Sequence, residues 1–159
     1  MSFLRHLLEV SGILGTSMSD EQREIFGSIE PVSIPSLGIE TIIAKVDTGA
    51  WTGALHCTDI YEENGVLHFT PVGNERLATT TTDFETRAVR GATGHLVQRY
   101  IIPVTLEIKG KMYETTVGLS DRQLLRREML LGRRFLIENN ILVDVKRTLD
   151  DDHEAEMYL

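Results

Sequence analysis

The residue best suited to chemistry is Asp47, which follows directly after an apolar stretch. Residues 41–46 are mostly β-branched or apolar and predict a buried strand that runs straight into Asp47-Thr48-Gly49-Ala50. Hydrolysis of an amide by water needs one group that takes a proton from the water and another that protonates the leaving nitrogen. Two carboxylates a few ångströms apart can do both, because like charges that close share one proton.

The tripeptide Asp-Thr-Gly is also a good turn sequence. Asp47 can cap the turn and Gly49 tolerates a positive φ, so the tripeptide alone leaves a structural turn as an alternative to a catalytic loop. In a catalytic loop, Gly49 would let the backbone approach a substrate closely. The hydroxyl of Thr48 could then link two such loops across a two-fold axis.

Two further glycine-bearing segments follow Asp47 along the chain. Residues 91–94 form the tip of a predicted hairpin, and Gly132-Arg133 separates a predicted strand, 129–131, from a short helix that ends at Glu138. Each has an ordinary interpretation by itself: a mobile loop, and a strand-to-helix junction with a solvated arginine. Their order after Asp47 is what favours a common functional site.

The elements that would position these segments are predicted to be short strands separated by turns. Further strand-like stretches are residues 54–61, 66–69, 87–89, 96–104, 106–109, 112–117 and 141–145. Pro31 and Pro35 restrict residues 29–34 to an edge strand at best. Glu63-Asn64-Gly65 is predicted to be a hairpin turn. This pattern predicts an all-β barrel or sandwich with one short helix.

The 159 residues suit a single domain, predicted to span residues 25–147. Residues 1–24 are interpreted as an N-terminal extension, helical or disordered. Residues 148–159 are rich in aspartate and glutamate and predict a disordered acidic tail.

Composition excludes several classes of function. The net charge of −8 argues against a nucleic-acid-binding protein, which usually carries a basic patch. The apolar stretches are too short to span a bilayer, so no membrane association is expected. One cysteine, Cys57, rules out an internal disulfide and suits a reducing compartment, so we expect a cytoplasmic protein. Cys57 itself is interpreted as a small buried hydrophobic residue.

Five segments resemble the bacterial and archaeal retropepsin-like family often labelled "ATP-dependent zinc protease". They are Pro35-Ser36-Leu37-Gly38-Ile39, Ala44-Lys45-Val46-Asp47-Thr48-Gly49-Ala50, Ala54-Leu55-His56, Asp121-Arg122 and Leu131-Gly132-Arg133-Arg134-Phe135-Leu136. The resemblance covers roughly residues 26–146. It implies a closed retropepsin-like barrel, one lobe per chain, and a homodimeric aspartic endopeptidase to which each subunit contributes Asp47.

The resemblance also implies roles for the neighbouring residues. It makes residues 90–95 a flap over a peptide or protein substrate, and it implies a functional link with a RimK-type ATP-grasp ligase that adds glutamates to protein tails. The implied active-site loop is Thr48, Gly49 and Ala50; the implied structural motif is Gly132 and Arg133; the implied substrate-binding residues of the flap are Gly91, Ala92, Thr93 and Gly94. Trp51, next to the active-site loop, is a further candidate substrate-binding residue, with simple packing as the alternative.

The chain departs from this family at Trp51-Thr52-Gly53, where members usually have Arg followed by Thr-Ser. In related proteases a polar residue after the turn pairs with the arginine of the Gly-Arg motif, a role that Trp51 cannot fill for Arg133. The alternative function is therefore a weakly active or inactive dimer that binds peptides as an adaptor. A zinc hydrolase is a weaker alternative, because the sequence has no His-Glu-x-x-His motif. We expect no metal and no cofactor, since a phosphate-binding Gly-x-x-x-x-Gly-Lys loop is also missing from the sequence.

Overall fold

The computed structural model describes residues 23–90, 94–121 and 126–148. Predictions for the N-terminal extension up to residue 22, for residues 91–93, for Arg122 and for the acidic tail from residue 149 lie outside the described residues. The described residues form the strands and helix β1 (Glu24–Phe26), β2 (Ile29–Ile34), β3 (Ile39–Asp47), β4 (Gly53–Glu63), β5 (Val66–Pro71), β6 (Thr79–Thr81), β7 (Glu85–Arg90), β8 (Leu96–Ile108), β9 (Lys111–Ser120), β10 (Met129–Gly132), α1 (Arg133–Glu138) and β11 (Ile141–Val143).

Six of these strands close into a barrel. The hydrogen-bonded order is β10-β3-β2-β8-β9-β4, and β4 pairs again with β10, which completes the circle. Closure leaves these six strands without free edges, the arrangement by which small β proteins avoid exposing unpaired backbone groups. The predicted all-β closed barrel with one short helix is confirmed. Because α1 has six residues, no helix in the described part of the chain is long enough to cross a membrane.

The interior of the barrel is filled by alternating residues of its strands. In β3, Ile42, Ala44 and Val46 are buried whereas Lys45 is exposed, as expected for a strand with one face in the core. In β9, Val117 and Leu119 are buried in the same core. Asp47 closes β3 one residue after the inward-facing Val46, so the core anchors the strand up to the point where the turn begins.

The remaining strands extend the barrel wall outwards. β4 and β5 form a hairpin whose turn, Asn64-Gly65, has φ of 52° and 78° at the two residues, which confirms the predicted hairpin turn. β6 adds to β5 through Thr79–Thr81, a stretch not predicted to be a strand because it is polar throughout. β7 pairs with the first half of β8 from Glu85↔Ile101 to Arg90↔Leu96 and forms a second long hairpin.

The prediction that residues 29–34 form an edge strand is wrong. β2 lies between β3 and β8 inside the closed barrel. Pro31 is tolerated because the registered pairing of β2 with β8 is confined to Ser33↔Glu107, while Pro31 faces Ile43 of β3. Pro35 lies outside the strand, at the start of a single 3₁₀ turn.

The N-terminal strand is attached to the barrel by a buried carboxylate. β1 pairs in parallel with β11, and Glu30 of β2 accepts a hydrogen bond from the Gly27 amide at 2.7 Å. The Lys109 ammonium lies 3.0 Å from the same Glu30 oxygen and donates to the Ile25 carbonyl at 2.7 Å. Glu30 thus links the segment after β1 to the turn between β8 and β9.

We expect Glu30→Ala to destabilise the fold by about 2 kcal/mol, because it leaves the buried Gly27 amide without its acceptor and removes the carboxylate that pairs with the Lys109 ammonium. Urea unfolding of the parent and the variant measures this. Glu114→Ala is the matched control, since Glu114 is exposed on β9 and its side chain has no partner among the described residues. Equal unfolding midpoints for the two variants would contradict the anchoring role of Glu30.

Candidate active site

The carboxylate of Asp47 is held by its own turn. Its Oδ1 accepts hydrogen bonds from the amides of Gly49 and Ala50 at 3.0 and 3.1 Å. Its Oδ2 lies 3.7 Å from the Lys45 ammonium, and the side chain keeps 25% exposure. One oxygen is therefore fixed by the backbone, while the side chain stays partly exposed at the end of β3.

Lys45 is a neighbour of Asp47 that our sequence reasoning did not single out. Residues two apart on a strand share one face, so the spacing of Lys45 and Asp47 on β3 was the available signal. The lysine side chain is more than half exposed, at 56%. An ion pair this exposed adds little to stability, so Lys45 acts mainly on the local charge beside Asp47.

The N-terminus of α1 holds the Asp47 turn in place. The Arg133 amide donates to the Ala50 carbonyl at 2.7 Å, and the Arg134 amide donates to the Trp51 carbonyl at 3.0 Å. The first amides of a helix have no partner within the helix, so the turn supplies acceptors that these groups need. The predicted short helix after Gly132 is confirmed, and its N-terminus lies against the turn.

Gly132 brings the strand before α1 against the active-site loop. It is the Cα partner of Asp47 across the parallel β3–β10 pair. A Cβ added at Gly132 would lie 2.5 Å from the Thr52 carbonyl carbon and 2.9 Å from the Gly53 nitrogen. Only glycine allows this approach, so the Gly-Arg motif and the Asp-Thr-Gly turn are in backbone contact.

Arg133 contacts the turn through its side chain as well. Its Nη1 donates to the Thr48 carbonyl at 3.4 Å, and its guanidinium lies 5.5 Å from the centre of the Trp51 ring. Trp51 is 54% exposed and offers Arg133 a cation–π contact where a polar side chain would offer a hydrogen bond. Trp51, which departs from the family pattern, is therefore in contact with the arginine of the Gly-Arg motif.

An open groove of about 420 Å³ begins at Thr48. It continues along α1 and β11, and its walls include Arg133 and the apolar residues Ile137 and Leu142. Thr48 is exposed, and Ile137 exposes 60% of its surface. The face that carries the Asp47 turn is thus partly apolar and open to solvent.

The hairpin predicted to cover substrate is described only at its base. Arg90 ends β7 and its Nη1 donates to the Gly94 carbonyl at 3.4 Å. Gly94 is exposed with φ of +82°, a conformation that glycine adopts without strain. Residues 91–93 lie outside the described part, so the flap stays a prediction.

The remaining candidate groups lie away from Asp47 in roles of their own. Cys57 is fully buried, and burial raises its pKa to about 12, which confirms the interpretation of a small hydrophobic residue. His56 is buried with Nδ1 3.7 Å from Asp121 Oδ1, and His95 is exposed. In the described ranges, no three His, Cys, Asp or Glu side chains lie close enough together to hold a metal ion.

A closed barrel in which an Asp-Thr-Gly turn meets a Gly-Arg helix junction is the arrangement of a retropepsin-like domain. The family model described as retropepsin-like aspartic endopeptidase RimB, of the RimB-like family, matches residues 25–153. The chain belongs to this family.

Several longer proteins described as glutamate ligases are similar to this chain. The chain is 32% identical over 138 residues to a probable alpha-L-glutamate ligase of Shewanella halifaxensis, with 80% of this chain and 29% of that protein covered. It is 33% identical over 129 residues to a protein of the same description from Parasynechococcus marenigrum, with 76% of this chain and 28% of that protein covered. The chain thus spans less than a third of the length of these relatives.

A solved structure shares the fold. The crystal structure of a protein of unknown function from Legionella pneumophila subsp. pneumophila superposes with a TM-score of 0.60 at 26% identity. The match covers 80% of this chain and 97% of that chain. The match therefore extends over nearly the whole of that chain.

We expect Gly132→Ala to destabilise the protein by about 3 kcal/mol, because the new methyl group would push Thr52 away from β10. Thermal or urea unfolding measures the loss. Gly110→Ala is the matched control, since its Cβ would meet nothing within 4 Å and would add only the strain of a φ of +74°. A Gly132→Ala variant no less stable than Gly110→Ala would contradict the close contact between the two motifs.

Proposed function

We propose that this protein is a homodimeric aspartic endopeptidase in which Asp47 of two subunits activates one water molecule. The observation that carries the proposal is the fixed, partly exposed carboxylate of Asp47 at the junction of β3, β10 and α1. The membership of the chain in a family of retropepsin-like aspartic endopeptidases supports it. One carboxylate of the pair takes the proton of the attacking water while the other, protonated, donates to the scissile amide.

Dimerisation follows from this chemistry. Each chain has one Asp-Thr-Gly turn, so a pair of carboxylates requires an isologous interface with both Asp47 turns near the two-fold axis. The exposed Thr48 and the open groove beside it supply a partly apolar surface for such an interface, on the face that carries the Asp47 turn. Two carboxylates a few ångströms apart titrate as a unit with separated apparent pKa values. Cleavage is therefore expected to be fastest at mildly acidic pH, where one of the two carboxylates is protonated.

We further propose a functional link with a glutamate ligase of the RimK type. The relatives matched by this chain are described as probable alpha-L-glutamate ligases and are much longer than it is. A retropepsin-like segment within such a protein suggests that peptide cleavage and glutamate addition serve one process. The substrate class is then a peptide or protein tail that carries glutamate.

A second candidate function is peptide binding without cleavage. The observation in its favour is Trp51, whose ring takes the place of a polar partner for Arg133 beside the turn. In this case an extended peptide would add as a strand next to the β7–β8 hairpin and would remain intact. The two candidates differ in whether a bound peptide survives incubation.

We expect Asp47→Asn to lower the rate of peptide cleavage by at least about 10³-fold, because the variant lacks both the base and the acid. Incubation with a peptide library from about pH 4 to pH 8, a range that brackets a carboxylate pair, followed by mass spectrometry measures cleavage. Sedimentation should show an unchanged dimer. Asp83→Asn is the matched control, since Asp83 is an exposed loop aspartate whose carboxylate has no partner among the described residues.

Cleavage of the same bonds by Asp47→Asn would contradict the catalytic assignment. A parent protein that binds peptides but leaves them intact at every pH would favour the second candidate.

A further inference from the structure

Arg99 is a partly buried cation on β8, in the hairpin formed with β7. Its side chain crosses the neighbouring strand at Gly118, where a Cβ would lie 2.6 Å from Arg99 Cδ. The missing side chain at Gly118 therefore makes the channel along which the arginine runs. Nothing in the sequence pattern marked Arg99 as functional, because this channel depends on a contact between strands.

The channel leads towards the active-site loop. Gly118 is the Cα partner of Ala54 in β4, and its Cβ position lies 3.6 Å from the Gly53 carbonyl oxygen. Gly53 begins β4 directly after the Asp47 turn and lies against Gly132. The side chain of Arg99 is thus connected, through Gly118 and Gly53, to the segment that follows the Asp47 turn.

The guanidinium of Arg99 has no hydrogen-bond acceptor within residues 23–90, 94–121 and 126–148. Among the described residues, no carboxylate, carbonyl or aromatic ring pairs with it, although burial lowers the pKa of Arg99 by disfavouring its charged form. Arg87 is its direct Cα partner across the β7–β8 hairpin, and Arg87 is paired with Glu85 through Nε and Nη2 at 3.0 and 2.6 Å. Like charges directly opposite each other on a hairpin are destabilising.

An anionic ligand would give the guanidinium of Arg99 a hydrogen-bond acceptor and an opposite charge. Guanidinium donors are arranged in a fork that matches a carboxylate, so a carboxylate is the chemistry that satisfies Arg99 best. The net charge of −8 repels an acidic peptide as a whole, so recognition of such a peptide has to come from a local cation. The aliphatic stem of Arg99 also packs on Gly118, but this packing does not need the charge. A methionine at position 99 would fill the same space.

We propose that Arg99 is a specificity-determining residue that binds a carboxylate side chain of the substrate beside the Asp47 cleft. This inference rests on the proposed function for its substrate, a glutamate-bearing peptide. Arg99 would distinguish glutamate from glutamine at one position of the bound peptide.

The test measures binding and cleavage separately. Two fluorescent peptides of equal length, one of alternating glutamate and alanine and one of alternating glutamine and alanine, are titrated with Asp47→Asn protein, which leaves them intact. We expect the glutamate peptide to bind at least about 10-fold more tightly, as a charge-assisted hydrogen bond would give. Adding Arg99→Met, which keeps the stem on Gly118, should abolish this preference, whereas Arg76→Met should preserve it. Arg76 is the matched control because its exposed side chain has no partner in the described part of the chain.

Several outcomes would overturn the inference: no preference before the substitution, no binding of either peptide, or a preference that survives Arg99→Met. If Arg99→Met weakened the binding of both peptides equally, the inference would also be overturned, since that result would indicate that Arg99 contributes only by packing. Cleavage by the parent protein is scored in parallel. An Arg99-dependent preference for glutamate without any cleavage would support the binding subsite and reject the endopeptidase.

Discussion

Two backbone hydrogen bonds at the N-terminus of α1 determine the geometry of the site. The Arg133 and Arg134 amides donate to the carbonyls of Ala50 and Trp51, so the helix and the turn each satisfy groups that the other leaves unpaired. These bonds require β10 to end against the turn, which the absence of a side chain at Gly132 allows. The position of the Asp47 carboxylate depends on this junction, because its Oδ1 accepts hydrogen bonds from the amides of Gly49 and Ala50, and Ala50 is itself held by the Arg133 amide.

The barrel converts this local junction into a rigid platform. β3, β4 and β10 meet at the junction, and all three belong to the closed circle of six strands. Their inward residues, including Ala44, Leu55 and Leu131, are buried in one core. A displacement of the turn would therefore disturb core packing, and close-packed interiors resist such changes. In the proposed dimer, each chain would supply one carboxylate from this platform and the two-fold symmetry would supply the second.

The parts of the site that the sequence predicted are those that depend on neighbouring residues. A β-branched strand before Asp47, the turn itself and a strand-glycine-helix order at Gly132 are all local patterns. The position of β2 was not predictable in this way, because Pro31 suggests an edge and only the pairing with β8 at Ser33 places the strand inside the barrel. The polar strand β6 was not predicted for a similar reason. It is a strand because it pairs with β5, and its polar composition does not indicate this pairing.

Contacts between strands distant in sequence account for the remaining differences. Trp51 was predicted to leave Arg133 without its usual polar partner, and the fold places the indole ring itself against the guanidinium. The interpretation of Arg99 depends on its contact with Gly118, nineteen positions further along the chain, and on its pairing with Arg87 across the hairpin. Such pairs arise from register, which a single sequence specifies only through the whole pattern of buried faces.

The most direct test of the central claim is subunit mixing. Parent and Asp47→Asn chains are combined in varying ratio at constant total concentration, after native mass spectrometry shows that the subunits have exchanged, and peptide cleavage is measured. If each active site needs Asp47 from both subunits, activity follows the square of the parent fraction and falls to about one quarter in an equal mixture. Activity that falls in proportion to the parent fraction, to about one half, would show that each chain works alone and would contradict the shared site.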